Sequence, residues 1–226
     1  MAARRSVKAR DPRPRTVGVI FSRTDLMRAI ALRCPPDLFE LRLDALASWA
    51  DEVETLIPKL AAPLIITARD PREGGANRLS IQERRALLRR FMPHALYVDV
   101  ELRSANALRS VVDSAREKKI RRIISFHDLT NTPSIARLCE KAGAAESLGA
   151  DVFKIATRTN TARQLDRLLR FYNMSILPTA AMGIGKLGRK ARLELMRRGS
   201  VLNYAHLGNT RIAGQLSLCE MQRAID

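Results

Sequence analysis

The chain has 226 residues, 46% hydrophobic and 4% aromatic, with 40 Lys and Arg against 23 Asp and Glu for a formal charge of +17. That length suits one domain with a substantial core; no Pro/Gly/Ser-rich stretch marks a second, and no apolar run reaches the roughly 18 to 20 residues of a membrane span. No apolar segment follows the basic start, so secretion is not expected and a soluble cytoplasmic protein is.

In chain order, residues 1–15 carry Arg4, Arg5, Lys8, Arg10, Arg13 and Arg15 against Asp11 alone. A disordered basic tail is expected. Such a start suits a nucleic acid, an acidic surface or organelle targeting, but the scarcity of aromatic residues and of any nucleic-acid motif weighs toward a solvated tail. The excess charge still draws an anionic small substrate. Cys34, Cys139 and Cys219 are odd in number and lack C-x-x-C or Cys/His spacing, so reduced thiols and no metal are expected.

Strands are expected over residues 16–21, 39–44, 65–69, 97–102, 122–128, 151–156, 175–180 and 201–205. Side chains alternate faces along a strand. In residues 39–44 this sets Phe39, Leu41 and Leu43 against Glu40, Arg42 and Asp44, and in 65–69 it sets Ile66 and Ala68 against Thr67 and Arg69. Residues 97–102 separate Val98, Val100 and Leu102 from Asp99 and Glu101. In 122–128, Ile124 and Phe126 oppose Ser125 and His127, and in 151–156, Phe153 and Ile155 oppose Lys154. Five strands thus carry one apolar and one polar or ionisable face.

Helical segments fall between them, over residues 24–33, 45–58, 80–91, 104–119, 133–148 and 160–171. Ser80 with Glu83 reads as a capping box, and Thr132-Pro133 as a cap before a first-turn proline. Alternation of this kind implies parallel strands with crossover helices. Strands of an open doubly wound sheet bury both faces and read as continuous apolar runs, which these do not. The expectation is therefore a single-domain (β/α)8 TIM barrel over residues 16–226, with the ionisable faces converging on one lumen.

Lys154 is the most informative residue in that lumen. An ammonium in a buried strand needs a carboxylate, a snorkelling stem, or a role as an amine that attacks carbonyls. Taken alone it is more often a lysine on a solvated edge, and His127 alone a hydrogen-bonded core histidine. Together on polar faces they suggest covalent and acid–base chemistry. Gly183-Ile-Gly-Lys-Leu-Gly188 matches G-x-G-x-x-G, but no acidic residue follows about 20 positions later to hold a ribose, so a nucleotide site is not expected.

Glu40-Leu-Arg-Leu-Asp44, Thr67-Ala-Arg-Asp-Pro-Arg-Glu-Gly-Gly75, Ser125-Phe-His-Asp128 with Thr132-Pro133, Asp151-Val-Phe-Lys-Ile-Ala156 and Ala213-Gly-Gln215, in this order, resemble the type I 3-dehydroquinate dehydratases, lysine-imine enzymes of the shikimate pathway and aromatic amino acid biosynthesis. The resemblance implies syn elimination of water from 3-dehydroquinate to give 3-dehydroshikimate, without metal or cofactor. It implies Lys154 as the imine-forming amine, His127 as general base and acid, and Glu73 as the carboxylate that orients His127. Glu40, Arg42 and Arg69 match residues that hold substrate hydroxyls and the charged floor, and Gln215 matches a lid residue. For the arginine that takes the substrate carboxylate, gap-free spacing selects Arg192, with Arg189 as runner-up. Arg211 stands where the family has a serine, which puts lid closure in question. A homodimer is common in the family.

Two rivals remain. A class I aldolase also uses a lysine imine in a barrel, and a turnover-impaired basic barrel with a nucleic-acid role fits the charge and the altered lid.

Overall fold

The computed structural model describes residues 14–210 and 212–225. Residues 1–13 of the expected tail, and Arg211 of the lid motif, lie outside the described residues; Arg15 already belongs to the first strand. The first half of the fold comprises β1 (Arg15–Ile20), α1 (Arg23–Ile30), β2 (Leu38–Arg42), α2 (Leu43–Leu46), α3 (Ala50–Leu56), β3 (Leu64–Thr67), α4 (Ile81–Phe91), β4 (Ala95–Glu101) and α5 (Arg109–Glu117). The second comprises β5 (Arg121–Asp128), α6 (Ile135–Ser147), β6 (Val152–Arg158), α7 (Ala162–Met174), β7 (Thr179–Ile184), α8 (Gly188–Arg197), β8 (Leu202–His206) and α9 (Leu218–Arg223). Among the described residues, no helix is long and apolar enough to cross a membrane.

The strands lie in the order β7-β6-β5-β4-β3-β2-β1-β8 with every pairing parallel. The Val201 N–H donates to Thr179 O at 3.1 Å, which brings the two ends of the sheet together. The result is a nearly closed (β/α)8 barrel. Outward faces such as Phe39, Leu41, Ile66, Val98, Ile124 and Phe153 are buried under the helical ring. Inside, Val17, Leu38, Ile65, Tyr97, Ile123 and Val152 fill the lower barrel. Above that apolar plug, the register places Glu101, Ser125 and Lys154 side by side on β4, β5 and β6. Alternation along each strand therefore sorts oil outward and charge inward, as the strand patterns require.

The Ser80–Glu83 capping box is present at α4. Four local features differ from the sequence reading. The seventh strand lies at Thr179–Ile184, because α7 runs on to Met174 and the apolar Ile176 points into solvent, 85% exposed. The cap of α6 is Ser134; Thr132 is buried instead, its hydroxyl 2.7 Å from Arg158 O and 3.0 Å from Thr157 Oγ1. β2 stops at Arg42 and β3 at Thr67, so Asp44 enters the site from the first turn of α2 and Arg69 from the loop after β3. The second helix divides into α2 and α3, since Asp44 accepts from Arg42, the Arg69 N–H and the Ala76 N–H and ties α2 to the barrel top.

Candidate active site

At the carboxyl ends of the strands opens a cavity of about 590 Å³. Lys154, His127, Glu73, Glu40, Arg42, Arg69, Arg192 and Gln215 all line it. Arg189 does not; its side chain is 55% exposed and pairs with Glu220 at 2.7 Å.

Lys154 stands on β6 with its Nζ donating to Glu40 Oε1 and to Asp99 Oδ2, each at 2.9 Å. The same nitrogen lies 3.9 Å from the centre of the Tyr204 ring, a cation–π distance. Around it the charges are paired. Arg69 reaches Asp99 at 2.8 Å, Glu101 at 3.2 Å and Ser125 Oγ at 2.6 Å, and Arg84 on α4 pairs with Glu101. Burial opposes ionisation of Asp99, but the Arg69 and Lys154 charges outweigh it and hold the carboxyl below its ordinary range. Likewise burial disfavours the Arg69 cation, and Asp99 and Glu101 reverse that, raising it above its usual value. Arg42 forms a two-pronged pair with Asp44 at 2.9 and 2.7 Å and lies over the Phe21 ring. Pairing of this kind offsets the cost of burying these charges.

His127 and Lys154 sit on adjacent strands, with Ser125 in register with Lys154 and His127 with Ala156. Glu73 fixes the histidine twice: its Oε2 accepts the His127 backbone N–H at 3.0 Å and lies 2.9 Å from Nδ1. That contact sets the tautomer and leaves Nε2 for the cavity. Burial, then the Arg69 and Lys154 charges, push the imidazole well below its ordinary value. Glu73 is raised to about 7, chiefly by burial, with Arg69 opposing and Glu101 adding. Local backbone explains its placement. Glu73 ends a 3-10 turn capped by Asp70, Gly74 takes a φ of +85°, and a side chain at Gly75 would strike Arg69 O at 2.3 Å.

Arg192 enters from α8, 5% exposed, donating to Gly183 O at 3.2 Å and to Tyr204 O at 3.1 Å. Among the described residues no carboxylate pairs with it, and burial pulls it down to about 10. It stays charged at neutral pH and lines the cavity without a carboxylate partner among the described residues. Gln215 sits in the loop between β8 and α9, which is tied back by the Gly185 N–H to Ala213 O at 2.9 Å. Among the described residues, no three His, Cys, Asp or Glu side chains gather as a metal set.

Sequence reasoning missed Tyr204 and His206, which line the cavity. The Tyr204 hydroxyl is buried without a partner among the described residues. Alternation on β8 could have found them, since Leu202, Tyr204 and His206 share a face.

The arrangement provides an amine, a neutral imidazole fixed by a carboxylate, and an uncompensated cation around one space. Comparisons with known proteins agree on one family. The model of type I 3-dehydroquinase matches residues 17–226. A 3-dehydroquinate dehydratase of Thermococcus onnurineus is 37% identical over 191 residues, covering 84% of this chain and 86% of that protein. The bifunctional chloroplastic 3-dehydroquinate dehydratase/shikimate dehydrogenase of Arabidopsis thaliana is 31% identical over 180 residues, 78% of this chain and 30% of that protein. Among solved structures, type I 3-dehydroquinate dehydratase from Clostridium difficile, with covalent modified comenic acid, superposes with a TM-score of 0.85 at 25% identity, covering 94% of this chain and 91% of that one.

Proposed function

Since the chain belongs to the type I 3-dehydroquinase family, we propose that it dehydrates 3-dehydroquinate to 3-dehydroshikimate through an imine on Lys154. The observation that carries this reading is the placement of Lys154 and His127 on neighbouring strands of one cavity, beside an arginine that lacks an anion.

The Lys154 ammonium passes a proton to a paired carboxylate; the freed amine adds to the ring ketone, and the ketone oxygen leaves as water on taking that proton together with one from the nitrogen, which gives an iminium. That iminium acidifies the adjacent carbon. His127, neutral because it is buried among cations, takes a proton from that carbon through Nε2 and leaves an enamine. The enamine pair then expels the hydroxyl from the next carbon, and the protonated His127 returns its proton so that the group departs as water. A second water hydrolyses the conjugated iminium and frees Lys154. Glu73 keeps the proton of His127 on Nδ1 throughout, as a triad acid does.

In this scheme Arg192 takes the substrate carboxylate. Glu40, Arg42 and Arg69 face the ring hydroxyls, and Gln215 closes over them. Asp99 and Glu40 hold the amine in place, which a side chain as flexible as lysine requires. An aldolase would share the imine, but a histidine clamped by Glu73 beside the amine suits proton removal followed by proton return.

The test is the rise in ultraviolet absorbance from the conjugated product. Wild type is expected to produce it with 3-dehydroquinate and Lys154→Ala to lose it, with circular dichroism verifying the fold. Undiminished turnover by Lys154→Ala would overturn the reading.

A further inference from the structure

Strand β8 presents Tyr204 and His206 to the barrel interior, and the chemistry above uses neither polar group. His206 lines the cavity. Its Nδ1 is buried and has no hydrogen-bond partner among the described residues, and its backbone N–H donates to Leu216 O at 3.0 Å, next to Gln215 in the chain. On the same strand, Arg192 Nη1 donates to the carbonyl of Tyr204 at 3.1 Å, two residues before His206. Across the sheet, His206 is in register with Val19, and Val19 with Glu40. The imidazole therefore stands at the level of the carboxylate that holds Lys154, with a valine between them and the unpaired guanidinium nearby.

Tautomer chemistry follows from the buried nitrogen. A neutral imidazole has one N–H and one acceptor nitrogen, and a buried N–H without an acceptor is rarer than a buried acceptor left unused. The proton belongs on Nε2, the nitrogen left to the cavity. We infer that His206 Nε2–H and Arg192 together grip the carboxylate of the ligand, the arginine supplying charge and the histidine a directed donor to one oxygen. This rests on the dehydratase reading and adds a substrate-binding residue to it. Arg192 alone, tethered by two backbone carbonyls, fixes where the carboxylate sits; a second donor fixes its rotation, and with it the face of the ring turned to Lys154 and His127.

The experiment compares steady-state kinetics of wild type, His206→Phe and His206→Gln. Phe keeps the ring and removes the donor; Gln returns an N–H near the same reach. Loss of one hydrogen bond to a charged group predicts a roughly 10- to 100-fold rise in KM for His206→Phe, with kcat changed far less and most of the loss recovered in His206→Gln. Thermal unfolding without substrate controls for folding. An active wild type with KM unchanged in His206→Phe overturns the inference and leaves the dehydratase reading standing, as does an equal KM defect in both variants. A wild type that forms no product overturns the reading, and the inference with it.

Discussion

Replacing Arg192 by Met is expected to make the substrate-free protein more stable and the enzyme worse. Burial lowers the Arg192 guanidinium from its ordinary value to about 10. A base whose folded value lies below its unfolded one disfavours folding at every pH below the folded value, here across the whole physiological range. The difference corresponds to about 3 kcal/mol. Methionine fills a similar volume without charge, while the two hydrogen bonds to Gly183 O and Tyr204 O are lost at about 1 kcal/mol each. The net is a gain of about 1 kcal/mol, or roughly 2–4 °C in Tm for a domain of this size. With substrate the sign reverses. Truncating one partner of a buried charge pair costs about 2–5 kcal/mol, so KM is expected to rise roughly 100-fold. Differential scanning calorimetry without ligand and initial rates against substrate concentration measure the two effects. A lower Tm together with an unchanged KM would show that Arg192 is a structural residue, and the argument from its missing anion would fail.

Further outcomes follow from the same geometry. The Glu73–His127 pair is expected to take up a proton near pH 7, where Glu73 titrates. Because only the anionic carboxylate keeps the proton on Nδ1, kcat/KM should rise with pH through about 7, and Glu73→Gln should flatten that limb while lowering kcat by roughly 10- to 100-fold; a limb that persists in the variant assigns it to another group. Lys154→Ala leaves Glu40 and Asp99 buried without their ammonium, so its Tm should fall by roughly 10 °C, and an unchanged melt would contradict the paired-charge account. Arg189→Ala, on an exposed pair with Glu220, should alter KM by less than about twofold.

Period-2 patterning made the barrel legible because each strand meets two different environments. Oil lies outward under helices, and ionisable groups lie inward above the apolar plug. Lys154 and His127 could be placed together for the same reason, each on the polar face of a strand whose other face is apolar. The seventh strand was misplaced because Ile176-Leu177 resembles its beginning, whereas Ile176 is exposed and the strand starts at Thr179. Asp44 read as a strand residue, yet its role is to close a turn against Arg42 and Arg69. Tyr204 and His206 share a face of β8 by alternation, but nothing in one dimension marked their polar atoms as unsatisfied. A missing hydrogen-bond partner is a property of the packed barrel, and so is the absence of an anion beside Arg192.

The central claim is tested most directly by adding sodium borohydride to the protein during turnover of 3-dehydroquinate and mapping the product by peptide mass spectrometry. Reduction is expected to fix the ligand carbon skeleton on the peptide that contains Lys154, with loss of activity in step. A Lys154 peptide of unchanged mass, recovered from protein that was turning over substrate, would contradict the account.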